Sequence, residues 1–246
     1  MIAVIVMAAG KGTRMNSDSP KVMHHVGGQP LIEHVLAAAR ELHPNRLIVI
    51  VGHQREKVKA SIQAPDVEFA IQEPQLGTGH AVLQAKPLLN DFAGEIVILS
   101  GDVPLLRAKT LQRLIHQHRS KRAAATVLST TCPDPTGYGR IVRDIQGGFT
   151  QIIEEREASS DVKHIREINS GIYCFNSNDL LPALEELRTD NSKGEYYLTD
   201  VIRFLKDRGE IVQAVNIADF EEVRGINTIH ELADAEAAFR QAKALG

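Results

Sequence analysis

MIAVIVMAAGKGTRMNSDSPK, residues 1–21, joins an unbroken apolar run to a loop of small and basic residues with no spacer between them. IAVIVM at 2–7 shows no polar alternation, which suits a strand covered on both faces and therefore a parallel sheet. Ala8, Ala9, Gly10, Lys11, Gly12, Thr13 and Arg14 follow, and Pro20 then precedes Lys21. Small residues let backbone amides approach an anion, while Lys11, Arg14 and Lys21 offer charge-assisted contacts. Pro20 restricts the chain before Lys21 and can hold that lysine over the loop. The loop lacks the spacing of a dinucleotide fingerprint, and it is no complete Walker A sequence because Lys11 is followed by glycine. Phosphate binding and a plain turn after a strand both remain readings of this stretch.

Working outward, RLIVIV at 46–51, VEFAI at 67–71 and EIVILS at 95–100 repeat the pattern of the first run. Helical periodicity fills the gaps. Pro30 suits the first turn of a helix carrying Leu31, Val35, Leu36 and Ala39, a second helix is expected over about 54–63, and a third begins at Thr78. This alternation predicts an α/β fold with a mostly parallel central sheet flanked by helices. After a helix at about 109–119 the pattern changes to AAATVLST, YGRIVRD, FTQIIEE and INSGIYCFN, which predict mixed pairing and a smaller lobe. Helices are expected at 180–187 and 197–207, a strand at 211–217, and a last helix whose capping box is Thr228 with Glu231.

The 246 residues are 43% hydrophobic with a net charge of -3, enough for a substantial core and no sign of a general nucleic-acid surface. Cys132 and Cys174 form no close metal motif, and His24, His25 and His80 show no three-ligand zinc pattern. No apolar run approaches the length of a membrane span, so the expectation is a soluble cytoplasmic protein acting on neither membrane nor nucleic acid.

Further candidate residues stand after other strands. Gln72 follows VEFAI, and QLGTGHA places Gly77 and Thr78 at a helix start, where free amides can meet a phosphate or a base edge or Thr78 can simply cap the helix. Asp102 follows ILSG at a strand end, where a carboxylate can hold magnesium or merely belong to a turn.

AAGKGTR with Pro20 and Lys21, then QLGTGHA, GDVPL, DPTGYGR, INSGI and KGEYYLTD, occur in that order across nearly the whole chain. Together they resemble the amino-terminal uridylyltransferase domain of the bifunctional bacterial N-acetylglucosamine-1-phosphate uridylyltransferase/glucosamine-1-phosphate acetyltransferase family. AAGKGTR alone marks only the wider sugar-nucleotidyltransferase superfamily. The resemblance implies a GT-A-like, Rossmann-like fold with a smaller acceptor-binding lobe. It also implies Mg2+ as cofactor, UTP and N-acetylglucosamine 1-phosphate as substrates, and UDP-N-acetylglucosamine and pyrophosphate as products.

Carried over position by position, it implies that Ala8, Ala9, Gly10, Gly12, Arg14, Lys21, Gln72, Gly77 and Thr78 bind the nucleotide. Arg14, Lys21 and Asp102 would act in catalysis, and Asp102 with Asn227 would hold the metal. Gly139, Glu154, Asn169 and Tyr197 would face the sugar phosphate, Tyr197 being equally readable as core packing. Residues 1–227 would form the catalytic unit, with a nucleotide half to about 120 and an acceptor part over 121–227, and 228–246 a helix packed on it. Ser100 departs from the larger aromatic residue frequent at this position in the family. The expected chemistry is direct in-line transfer without a covalent intermediate by a monomer or weak oligomer, and no acetyltransferase half is expected. Another sugar-1-phosphate nucleotidyltransferase, or a silent nucleotide-sugar sensor, are the alternative readings.

Overall fold

The computed structural model describes residues 1–62 and 64–245. In chain order the first elements are β1 (Ile2–Ala8), a short ribbon of β2 (His25–Val26) and β3 (Gln29–Pro30), and α1 (Leu31–Arg40). Then come β4 (Arg46–Val51), α2 (Arg55–Ser61), β5 (Val67–Ile71), α3 (Thr78–Leu83) and β6 (Glu95–Ser100). The expected second helix is thus α2, and its anticipated last position, 63, lies outside the described residues. The chain continues through α4 (Ala108–Lys121), β7 (Ala125–Thr131), β8 (Arg140–Arg143), β9 (Phe149–Ile153), α5 (Ser160–Lys163) and β10 (Glu167–Asn176). It closes with α6 (Ser177–Glu185), α7 (Leu198–Asp207), β11 (Val212–Ile217), α8 (Phe220–Val223) and α9 (Ile229–Leu245).

The main path of the large sheet runs β11-β7-β10-β6-β1-β4-β5, and along it only β10 lies antiparallel to its neighbours. The continuous apolarity of the strands has its reason here. Ile5, Ile48, Ile50, Ile96 and Ile98 pack into one buried cluster, Val4, Val6, Val49, Val97 and Leu99 into another, so alternate residues of the same strands serve the two helix-covered faces. β7, β10 and β11, from the part beyond residue 120, join this same sheet, and the β8–β9 hairpin extends it off the path through β10. A third, smaller cluster of Val26, Leu31, Ile226 and Ala235 seats α9 against the β2–β3 ribbon. Gly27 of that ribbon has φ 59°, donates to Glu236 at 2.6 Å, and leaves no room for a Cβ beneath the Phe239 ring.

Among the described residues no helix is long and apolar enough to cross a membrane.

Candidate active site

β1 pairs in parallel with both β4 and β6, so Ala8 meets Val51 and Met7 meets Ser100 at one edge of the sheet. Loops leaving that edge build two adjoining clefts, the place where open α/β sheets bind ligands. The first, of about 330 Å³, is lined by Ala8, Ala9, Gly10, Lys21, Gln72, Gly77, Thr78 and Asp102. The second, of about 420 Å³, has Arg14, Gly139, Glu154, Asn169, Thr199 and Asn227 on its walls. Met7, Thr78 and Ser100 line both, and there the two clefts join.

The polar groups converge at this junction. The Lys21 ammonium pairs with the Asp102 carboxylate and donates to Asn227 Oδ1 at 3.1 Å. Arg14 donates to the same Asn227 oxygen at 2.9 Å. Gly12 lines neither cleft, yet it sets this geometry: with φ 61°, a Cβ there would fall 2.6 Å from Lys21 Cβ. Glu231 accepts from the backbone amides of Asn227 at 2.6 Å and Thr228 at 2.9 Å, while its own amide donates to Thr228 Oγ1 at 3.2 Å. The capping box of α9 therefore fixes the backbone on which Asn227 stands. The Ile226 amide donates to the Asp102 carbonyl at 2.9 Å and ties that segment to the end of β6.

A carboxylate and an amide oxygen thus face one cation. Such hard oxygen donors fit a divalent ion of the magnesium kind, which takes one or two protein ligands and completes its shell from phosphate and water. No group of three or more His, Cys, Asp or Glu able to cage a metal exists among the described residues.

Gln72 is buried, and its Nε2 donates to the Gly77 carbonyl at 2.8 Å. That carbonyl can only accept, so it settles which way round the amide lies. Gly77, not Thr78, occupies the cap position of α3, with φ 108°. A Cβ on Gly77 would lie 2.6 Å from the Tyr196 carbonyl. The Thr78 hydroxyl instead accepts from the Leu198 amide at 3.0 Å, and the Gly79 amide donates to the Tyr196 carbonyl at 2.8 Å. The QLGTG and EYYLT stretches are thus stitched to each other.

In the second cleft the Gly139 carbonyl accepts from the Asn169 amide at 2.8 Å, and Glu154 accepts from Thr199 Oγ1 at 2.9 Å. Burial raises the Glu154 carboxyl above its ordinary pKa, with the Thr199 bond opposing the shift. Tyr197 lines neither cleft; it sits at the cap of α7, and Leu198 and Thr199 beyond it supply that wall. Behind the loop of Thr136 to Gly139 lies Arg140, 1% exposed, which donates to Glu155 at 2.6 Å and to the Tyr138 carbonyl. Sequence reasoning did not single out Thr199, Tyr173 or the Arg140–Glu155 pair. Thr199 and Arg140 lie inside quoted motifs, whereas Tyr173 reads only as a strand residue.

The profile of the MobA-like NTP transferase domain matches residues 4–207. The chain belongs to that family. The bifunctional protein GlmU of Latilactobacillus sakei is 46% identical over 237 residues, 96% of this chain and 51% of that protein. GlmU of Synechococcus sp. RCC307 is 48% identical over 242 residues, 98% of this chain and 53% of its own length. The transferase chain therefore spans about half the length of the curated relatives it matches. A UDP-glucose pyrophosphorylase solved with UDP-glucose superposes with a TM-score of 0.76 at 16% identity, covering 98% of this chain and all of that one, 100%. A Bacillus anthracis protein described as a glucose-1-phosphate thymidylyltransferase gives 0.75 at 19% identity, covering 98% and 96%. At such identities the likeness is one of fold, and the fold is the mixed, mostly parallel GT-A-like sheet of sugar-phosphate nucleotidyltransferases.

Proposed function

We propose that this transferase makes UDP-N-acetylglucosamine and pyrophosphate from UTP and N-acetylglucosamine 1-phosphate. One observation carries the reading: Lys21 and Asp102 line the first cleft, Arg14 and Asn227 the second, and the four side chains meet where the clefts join. Two anionic substrates approaching from either side bring their phosphates to that cluster. The GlmU relatives, 46% and 48% identical over nearly this whole chain, support the choice of substrates.

An oxygen of the acceptor phosphate attacks the α-phosphorus of UTP in line. The new P–O bond forms as the bond from the α-phosphorus to the bridging oxygen breaks, and that oxygen keeps the electron pair and leaves on pyrophosphate. The acceptor phosphate is already deprotonated near neutral pH, so no general base is required. Bringing two anions together is the harder problem, and Arg14, Lys21 and the amides of the Gly10 loop answer it by binding phosphate oxygens. Magnesium held by Asp102 and Asn227 would add Lewis-acid neutralisation of the same oxygens. With Gln72 Nε2 committed to Gly77, its Oε1 is the end available to a base. An acceptor there suits uracil, whose N3 carries a hydrogen, over neutral cytosine, whose N3 carries none.

Pyrophosphate release across a panel of nucleoside triphosphates and sugar 1-phosphates tests the proposal. UTP with N-acetylglucosamine 1-phosphate should give the highest kcat/KM. A clear preference for glucose 1-phosphate, or for another base, would assign a different sugar nucleotidyltransferase activity, and nucleotide-sugar binding without turnover would make the chain a sensor.

A further inference from the structure

β10 follows a regular antiparallel register with β7 through Asn169 opposite Ser129, then resumes with Ile172 opposite Leu128 and Tyr173 opposite Val127. Ser170 and Gly171 are looped out between them, a bulge of two residues. In a regular strand Asn169 and Tyr173 would stand about 13 Å apart at roughly 3.3 Å per residue. The bulge removes two of those steps without changing the face, which brings the pair to about 7 Å by the same rise. Their side chains then touch: Asn169 Nδ2 donates to the Tyr173 hydroxyl at 2.7 Å.

The bulge is furnished for this purpose. Gly171 takes φ 77°, where a side chain would be strained, and its amide donates to Asn169 Oδ1 at 3.0 Å. Ser170 Oγ donates to the Leu128 carbonyl at 2.7 Å and accepts from the Ile172 amide at 3.2 Å, satisfying the ladder groups the bulge disturbs. Both ends of the Asn169 amide are therefore engaged, and it cannot turn over. The second Nδ2 hydrogen stays available, as does the phenol's own hydrogen, which has no acceptor among the described residues. Glu154, an acceptor, lines the same cleft as Asn169 and Tyr173. Burial raises the phenol's pKa, so the hydroxyl stays protonated at any working pH.

Granting the reading of this cleft as the sugar-phosphate subsite, we propose that Tyr173 determines acceptor recognition. Its hydroxyl anchors Nδ2 of the Asn169 amide, whose orientation the Gly171 amide sets, and offers its own hydrogen to a sugar oxygen beside Glu154.

Tyr173→Phe tests this in the full chain, because it removes one oxygen and keeps the ring that packs 5.7 Å from Phe175. The KM for N-acetylglucosamine 1-phosphate should rise about five- to tenfold, the range of a lost hydrogen bond or two. The KM for UTP and kcat should stay within about twofold of wild type, a split that loss of general structure would not produce. Asn169→Ala should then cost less in the Tyr173→Phe background than alone, since the two side chains act as a unit. An unchanged acceptor KM, strictly additive losses, or an equal rise in both KM values would each overturn the proposal. Should wild-type chain form no UDP-sugar, the functional reading fails separately, and calorimetry with N-acetylglucosamine 1-phosphate reads Tyr173 directly. There, five- to tenfold weaker binding by Tyr173→Phe supports its role, and equal or absent binding by both chains overturns it.

Discussion

Lys21 ties the loop after β1 to residues 81 and 206 positions away, Asp102 and Asn227, and this single side chain joins three motifs into one cluster. The pair it makes with Asp102 is largely shielded, the two side chains being 20% and 12% exposed. Asp102→Asn keeps the shape but removes a formal negative charge from this point. Its affinity for Mn2+, titrated on the free chain by spin resonance, should fall at least about tenfold, with a larger loss of turnover at limiting Mg2+. Wild-type metal affinity would remove Asp102 from that role. Lys21→Ala should lower kcat more than it weakens UTP binding, by about a hundredfold against less than tenfold, if the ammonium meets charge that develops as pyrophosphate leaves. Single-turnover rates compared with UTP titrations separate the two. Each of these residues was legible as a candidate, because each stands in a motif at a strand end. Tyr197 and Tyr173 were not distinguishable in this way. Which of them reaches a cleft depends on a helix cap in one case and a bulge in the other, and neither leaves a periodic signal.

The element that decides the shape of the second cleft is the loop before β8. Its carbonyl at Tyr138 is held by Arg140, and Glu155 accepts both from Arg140 and, at 3.3 Å, from the Gly137 amide. Arg140→Ala would take the guanidinium away from that carbonyl and from Glu155, which would keep the Gly137 amide. The cost should be about 2–3 kcal/mol, discounted from the full value of a buried pair because Glu155 keeps some contact with water. A guanidinium unfolding midpoint measures it, and an unchanged midpoint would show the clamp to be dispensable. Arg140→Lys, which keeps the charge but not the fork, should recover only part of the loss. Most elements were legible from periodicity, down to the capping box of α9, but Pro30, expected in the first turn of α1, instead ends β3 with ψ 146° and precedes the helix at Leu31. The β2–β3 ribbon was missed because strands of two residues are too short to show alternation.

Across the whole molecule, the sheet separates two apolar layers, and a histidine is sealed with Thr126 between α4 and β7. His118, 2% exposed, has Nδ1 at 3.0 Å from Thr126 Oγ1, while its Nε2 has no partner among the described residues. Burial lowers its pKa from the usual 6.5 to about 4. Between those values the unfolded chain binds more protons than the folded one, so stability is complete above about 6.5 and declines as pH falls toward about 4. The drop in Tm from pH 7 to pH 5 should be smaller in His118→Gln by about 3–6 °C, a scale set by domains of this size. Identical slopes in the two proteins would reject the assignment. The sequence by itself determined the strand–helix alternation, the parallel character of the first four long strands and the positions of the loops that carry chemistry. Those properties follow from local period and from the few residues able to take positive φ, and short windows of chain contain both. Only the tertiary structure decided that β7, β10 and β11 complete the same sheet, that Arg14, Lys21, Asp102 and Asn227 meet, and that Tyr173 rather than Tyr197 faces the second cleft. Strand order and cross-chain packing settle such contacts, since a side chain 206 positions away becomes a neighbour through the burial of both apolar faces at once and not through any preference of its own segment.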